Sequence, residues 1–529
     1  MKANSIVLSL LTLITLTFTF LTSLQAQGPP SGLASDGPGR GGIGGATAPD
    51  GPPQINEDPR TMTFPPVEFH PAKAERVVLS NGMVVYLLED HELPLIRIEA
   101  MIRTGSLYEP PDKIGLAGLT GAVMRTGGTR RMEGDQIDEE LEYLAAEVGS
   151  RIGLDAGLAS LDVLAKDFDR GLNLFSEILR YPAFDAKKLD LAKKQAIEGI
   201  RRKNDSPAGI ASREFLKLIY GPKNPYARET TMQGISSITR EDVVAFHRRY
   251  YHPNSILVGI TGDFRKKEMV RKIKKTFGTW EKHQVEFPKV APVEVRYEPS
   301  INYIDRDLTQ THLRIGHLGI RLDNPDYFAL SILDDILGGR AFTSRLFQEV
   351  RTKKGLAYSV GTSLDPGNFD LGVFFAYAQT KAGSTYQAIS AVLDEIRRIQ
   401  TQPVSDEELK LAKESFLNSY VFSFSSPPQI VSRQVSLEYY GLPANFLERY
   451  RDNVAAVSRE DIQEVAREYL HPEGLILLAV GRQERFDQPL STFGKVSTII
   501  LEDEEVGEGS SDQSPAKVPP VDGHHHKDL

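Results

Sequence analysis

A similar stretch of sequence occurs twice in this chain, 219 residues apart and without a gap. Thr239-Arg240-Glu241-Asp242-Val243 leads to Tyr250-Tyr251-His252-Pro253-Asn254-Ser255 and the apolar run 256–262. Ser458-Arg459-Glu460-Asp461-Ile462 leads in the same way to Tyr469-Leu470-His471-Pro472-Glu473-Gly474 and the apolar run 475–481. Each copy opens with a hydroxyl residue that caps a helix, followed by acids suited to a first helical turn. Each helix closes ahead of His-Pro, because the residue before proline is pushed out of helical geometry. A strand follows. A unit repeated once in this way predicts a duplicated α+β domain, each half a mostly antiparallel sheet packed by helices.

The other patterns fill in each half. At 529 residues the chain is too long for one core and suits two domains of about 200 residues each, with tails. Segments 75–79 and 83–88 flank Asn81-Gly82 and read as a tight hairpin. A further strand is expected over 96–102, and amphipathic helices over 135–149, 168–180 and 187–204. In the second half 311–319 reads as a strand, and Tyr327 opens a helix that stops at Gly338-Gly339. Pro288, Pro292 and nearby charges interrupt the apolar patterns over 286–296. The expected layout is therefore a signal segment 1–26, a disordered Gly/Pro-rich lead-in 27–66, domains 67–287 and 288–490, and an acidic disordered tail 491–529.

Charge and composition narrow the function. The formal charge is -9, but 501–529 alone holds eight acids against Lys517 and Lys527. The rest is near neutral, which gives no electrostatic basis for nucleic-acid binding. The sequence has no cysteine, which excludes disulfides, thiol catalysis and thiolate metal sites. Lys2, the apolar run 6–21 and the small residue Ala26 have the order of a secretory signal cleaved near Ala26. The expected location is periplasmic or secreted, without stable membrane insertion, since no other stretch is apolar enough to span a bilayer.

Two constellations bear on chemistry. The first is Gly115-Leu116-Ala117-Gly118-Leu119-Thr120-Gly121-Ala122-Val123-Met124. It resembles the zinc-site helix of the pitrilysin/insulinase metallopeptidases, which reads G-[IL]-A-H-x-x-E-H-M. The family's two histidine positions hold Gly118 and Ala122 here, and its catalytic glutamate position holds Gly121. A downstream helix supplies the family's third ligand, and that position is either Glu198 or Gly199. Zinc needs imidazole and carboxylate ligands plus a general base, so the resemblance implies a scaffold without its metal centre. No displaced motif replaces it. His91-Glu92 lacks a second histidine, His312 and His317 fall on opposite faces of a strand, and His247 and His252 straddle a helix end.

The second constellation is complete. Residues 338–360 contain Gly338-Gly339, Ser344-Arg345-Leu346-Phe347-Gln348-Glu349-Val350-Arg351 and Gly355-Leu356-Ala357-Tyr358. This resembles the family's second-domain signature, whose arginine and tyrosine reach across a chamber to the zinc site. By that resemblance Arg351 holds substrate carbonyls and Tyr358 donates to the oxyanion. From the residues alone, Arg351 in a surface ion pair and Tyr358 in the core is the competing reading. The resemblance implies the non-zinc subunit of a heterodimeric peptidase, half of a clamshell that takes peptides or unfolded proteins. The chain itself would bind no cofactor, and its zinc-bearing partner would supply H-x-x-E-H. The alternative is a non-catalytic peptide-binding or structural protein of the same fold.

Overall fold

In the computed structural model, residues 72–501 are described, and they form two halves on one plan. The first half begins β1 (Glu75–Val78), β2 (Val84–Glu89), β3 (Leu95–Ile102), α1 (Leu116–Thr126), α2 (Gly134–Leu144), β4 (Glu147–Ile152) and β5 (Gly157–Leu164). It continues α3 (Phe168–Arg180), α4 (Ala186–Arg201), α5 (Pro207–Tyr220), α6 (Met232–Ser237), α7 (Arg240–Tyr250), β6 (Ile256–Gly262) and α8 (Lys266–Phe277). The second half begins β7 (Ser300–Asp305), β8 (Gln310–Leu318), α9 (Tyr327–Asp334), β9 (Ala357–Asp365) and β10 (Val373–Lys381). It continues α10 (Thr385–Thr401), α11 (Asp406–Phe422), α12 (Pro427–Tyr440), α13 (Phe446–Ala456), α14 (Arg459–Tyr469), β11 (Ile476–Gly481) and β12 (Val496–Thr498). Two π-helical segments, Asp335–Gly339 and Phe347–Lys353, separate α9 from β9.

Each half holds a six-stranded sheet, ordered β1-β2-β6-β3-β5-β4 and β12-β7-β11-β8-β10-β9. Pairing is antiparallel except at β2–β6, β7–β11 and β7–β12. The fold is α+β and duplicated, and the repeated sequence unit is α7–β6 in one half and α14–β11 in the other. Thr239 and Ser458 each accept from the backbone N–H three residues on, and Asp242 and Asp461 return the bond to the cap amide. Such reciprocal bonds satisfy two otherwise orphaned donors. The hairpin at Asn81-Gly82 pairs Glu75 with Leu87. Gly82 sits at φ 87°, which glycine adopts without penalty.

β6 and β11 are buried on both faces, so each sheet needs a cover on both sides. One face of β6, through Ile256, Val258 and Ile260, packs on the helices of its own half. The other face, through Leu257, packs on Val431, Val435 and Tyr439 of α12. The exchange is mutual. Leu477 and Ala479 of β11 face their own half, whereas Leu478 and Val480 pack on Ile210, Ala211 and Phe215 of α5. α5 and α12 hold equivalent places in the two halves, each entered by Ser-Pro at Ser206-Pro207 and Ser426-Pro427. Each sheet is thus completed by a helix from the other half, and both halves fall within one compact unit. The Tyr439 hydroxyl adds polar stitching by donating to the Asp155 carbonyl at 2.7 Å.

The structure departs from the sequence expectations in two places. A helix was expected over 135–149, but α2 ends at Leu144 and Ala145 turns left-handed at φ 46°. The chain then enters β4, whose residues Glu147–Ile152 pair with β5. Helical spacing persists in the sequence there, and strand pairing overrides it. The disordered tail was expected from Ser491, yet Val496–Thr498 forms β12, beside β7. The signal segment 1–26 and lead-in 27–66 lie outside the described residues, as does the tail beyond 501. No helix among the described residues is long and apolar enough to cross a membrane.

Candidate functional site

Gly118 and Ala122 lie one helical turn apart on α1 and are both exposed. A Cβ at Gly118 would meet nothing within 4 Å, so this face has room for side chains. Gly121 differs. It is buried against edge strand β4, where a Cβ would stand 2.5 Å from the Ile152 nitrogen and 2.8 Å from the Arg151 carbonyl carbon. The Ser150 hydroxyl donates to the Gly121 carbonyl at 2.6 Å and fixes the approach. The second half repeats the contact: Gly338 abuts edge strand β9, where its Cβ would lie 2.7 Å from Thr362 Oγ1 and 2.9 Å from the Gly361 carbonyl carbon. Gly121 is therefore a packing glycine that lets helix and strand touch.

On α4 both Glu198 and Gly199 are exposed, and Glu198 is ion-paired with Arg201. Among the described residues no group of three or more His, Asp or Glu has the arrangement of a metal site. The four motif positions on α1 and α4 do not fit zinc: Gly118, Gly121, Ala122 and Gly199 carry no donor atom, and Glu198 alone cannot hold the ion. Among the described histidines, His247 and His317 serve the fold. His247 Nε2–H donates to the Leu179 carbonyl at 2.9 Å in the core. His317 Nδ1 bonds the Leu318 carbonyl at 2.6 Å, and its Nε2 accepts the His471 amide. His91 pairs with Asp263 at the surface.

Arg351 and Tyr358 come together at the free edge of the second sheet. The Arg351 guanidinium lies 4.7 Å from the Phe347 ring centroid and 5.3 Å from that of Tyr358. It makes no ion pair or side-chain hydrogen bond with a described residue, so cation–π contact holds it in place while its N–H groups stay free. Tyr358 is 73% exposed. Both observations run against the competing reading of a surface ion pair and a core tyrosine. The base beneath the pair is firm. Arg345 forms a bidentate pair with Glu408 of α11 at 2.6 and 3.0 Å, and Arg340 donates to the Leu411 carbonyl within α11 at 2.9 Å while pairing with Asp335 at 2.8 Å.

Sequence reasoning missed Asp334, at the end of α9 behind β9. Its Oδ1 is shut off from solvent without a hydrogen-bond partner. Burial drives this carboxyl up to about 7, against hydrogen bonds from Thr362 and the Leu364 amide and with the Asp335 and Asp365 charges adding to the rise. Burial also depresses His247 and His317 to about 4. The signs oppose. A depressed histidine stabilises the fold above its unfolded value near 6.5, and that contribution is lost as pH falls toward 4. A raised aspartate stabilises it below about 3.8 and loses that contribution as pH rises through 7. Stability is expected to peak near pH 6.5. Asp334→Asn should remove the alkaline decline, adding on the order of a few kcal/mol at pH 8.5. Urea midpoints at pH 5, 6.5 and 8.5 check this, and a variant that tracks the wild-type profile would refute it.

Known proteins share this fold. The family model "Insulinase (Peptidase family M16)" matches residues 84–230, and "Peptidase M16 inactive domain" matches 237–416. The chain belongs to the M16 peptidase family. An uncharacterised zinc protease of Bacillus subtilis, YmxG, is 23% identical over 399 residues, covering 74% of this chain and 95% of its own. One from Rickettsia bellii is 26% identical over 337 residues, covering 63% and 80%. The crystal structure of a peptidase M16 inactive domain from Pseudomonas fluorescens superposes with a TM-score of 0.72 at 26% identity, covering 79% of this chain and all of that one. The first half of the periplasmic protease PqqL from Escherichia coli shares the fold, with a TM-score of 0.66 at 17% identity over 78% of this chain and 92% of its own.

Proposed function

We propose that this M16 chain is the zinc-free subunit of a two-chain peptidase, exported to the periplasm or beyond, whose Arg351 and Tyr358 complete the active site of a zinc-bearing relative. The observation that carries the reading is the free guanidinium of Arg351, clasped by Phe347 and by the exposed ring of Tyr358. A half-buried arginine without a carboxylate partner among the described residues is poised for an incoming acceptor, and a peptide carbonyl is one. A tyrosine hydroxyl with its ring against that arginine, and with no described partner to compete for it, suits an oxyanion that needs a donor. The chain's own zinc-motif positions carry no donors, so no reaction step is assigned to them.

The test is peptide hydrolysis by the purified chain alone, by a zinc-bearing relative encoded in a neighbouring reading frame, and by their mixture. Inactivity alone with a large gain on mixing is the expected result. A mixture no faster than the zinc-bearing chain by itself removes the shared active site. A peptide-binding protein without catalysis is then the reading that replaces it.

A further inference from the structure

Nine residues before Arg351, the chain makes a tight turn centred on Phe342, at Ala341-Phe342-Thr343. The Thr343 amide donates to the Ala341 carbonyl at 3.0 Å, two residues back. Phe342 at the centre of this γ-turn has φ 69°, which is strained for a residue with a large side chain. The Gln348 side chain amide holds the Phe342 carbonyl, and Arg340 and Arg345 anchor the two flanks to α11 and its N-cap region. The turn is thus fixed, yet it leaves the Phe342 ring 66% exposed. Glycine would relieve the strain, and burial would gain from the ring; neither occurs here. Strain of this kind persists where the side chain has work at a site.

The ring does not stand alone. It lies 4.9 Å from the Phe347 ring, whose other neighbour is the Arg351 guanidinium at 4.7 Å. Phe342, Arg351 and Tyr358 are therefore joined over the buried Phe347 ring into one contiguous cluster beside the free edge of β9. An extended peptide advances about 3.3 Å per residue. A peptide whose carbonyl meets Arg351 would place a side chain one to three residues away over Phe342.

We infer that Phe342 is a specificity-determining residue that takes an apolar side chain of an extended peptide, one to three residues from the peptide group held by Arg351. The inference rests on the reading of Arg351 as a substrate-carbonyl ligand. It names the substrate class: segments with a leucine-like or aromatic residue at that spacing, as unfolded chains expose.

The test uses the full chain without a partner, which separates it from the hydrolysis experiment. Two fluorescein-labelled peptides are titrated by anisotropy, identical except for leucine or serine at one position. Wild type should bind the leucine peptide at least tenfold more tightly. Phe342→Gly keeps the positive-φ turn and removes the ring, so it should erase that preference without lowering the melting temperature. Phe342→Leu should keep most of it. Equal weakening of both peptides, no preference in wild type, or an unchanged preference in Phe342→Gly overturns the inference. Should the preference appear while mixing yields no hydrolysis, the shared active site fails and this subsite stands.

Discussion

Tyr358→Phe is expected to lower partner-dependent hydrolysis by roughly 10²–10³ in kcat, the usual effect of deleting one oxyanion donor. Stability should stay within about 0.5 kcal/mol, because the change removes only an exposed hydroxyl without a described partner. The loss should fall on kcat rather than on KM, since the bond forms only as the oxyanion develops. Arg351→Ala should instead raise KM, because a carbonyl ligand acts on the bound substrate as well as on the transition state. Arg351→Lys should not rescue it fully: lysine cannot reproduce a planar fork stacked between Phe347 and Tyr358. A Tyr358→Phe mixture with full activity would leave the tyrosine a surface residue only.

Rebuilding H-x-x-E-H on α1 is expected to fail, and to fail at one position. Gly118→His and Ala122→His are exposed and should be tolerated. Gly121→Glu must drive a side chain into the backbone of Arg151 and Ile152. Even Gly121→Ala should destabilise the fold by about 1–3 kcal/mol, the range for overpacking a tight contact. Gly118→Ala, with open space around it, should stabilise the fold by about 0.5–1 kcal/mol through helix propensity. The triple variant should therefore unfold at lower urea than wild type and take up no stoichiometric zinc. A stable variant that binds one zinc ion would show that β4 yields readily and that the glycine is incidental. The two glycines look alike in sequence, and the physical difference is whether a strand lies against the missing side chain.

The repeated helix-strand unit and the Asn81-Gly82 hairpin are legible in the sequence through local rules: caps, turn chemistry and an apolar period that any reader of the chain can follow. The Arg351/Tyr358 pair is legible only through the resemblance of residues 338–360 to the family's second-domain signature. β4 was not legible, because its residues keep a helical spacing and become a strand only by pairing with β5. Asp334 was equally silent, since an aspartate at a helix end normally faces water and nothing local marks its burial behind β9.

The sequence by itself determined the duplication, the repeated helix-strand unit and the Asn81-Gly82 hairpin, and, through the family resemblance, the absence of zinc donors at Gly118, Gly121 and Ala122. These follow from residue identity and from spacings within one element. Only the tertiary structure decided that α5 and α12 cross over to finish the opposite sheets. It also decided that Gly121 is sealed by β4 while Gly118 is open, and that Phe347 and Tyr358 hold Arg351 with its donors free. Each of these depends on which distant segments touch, and contact between segments far apart in the chain is set by the packing of whole faces.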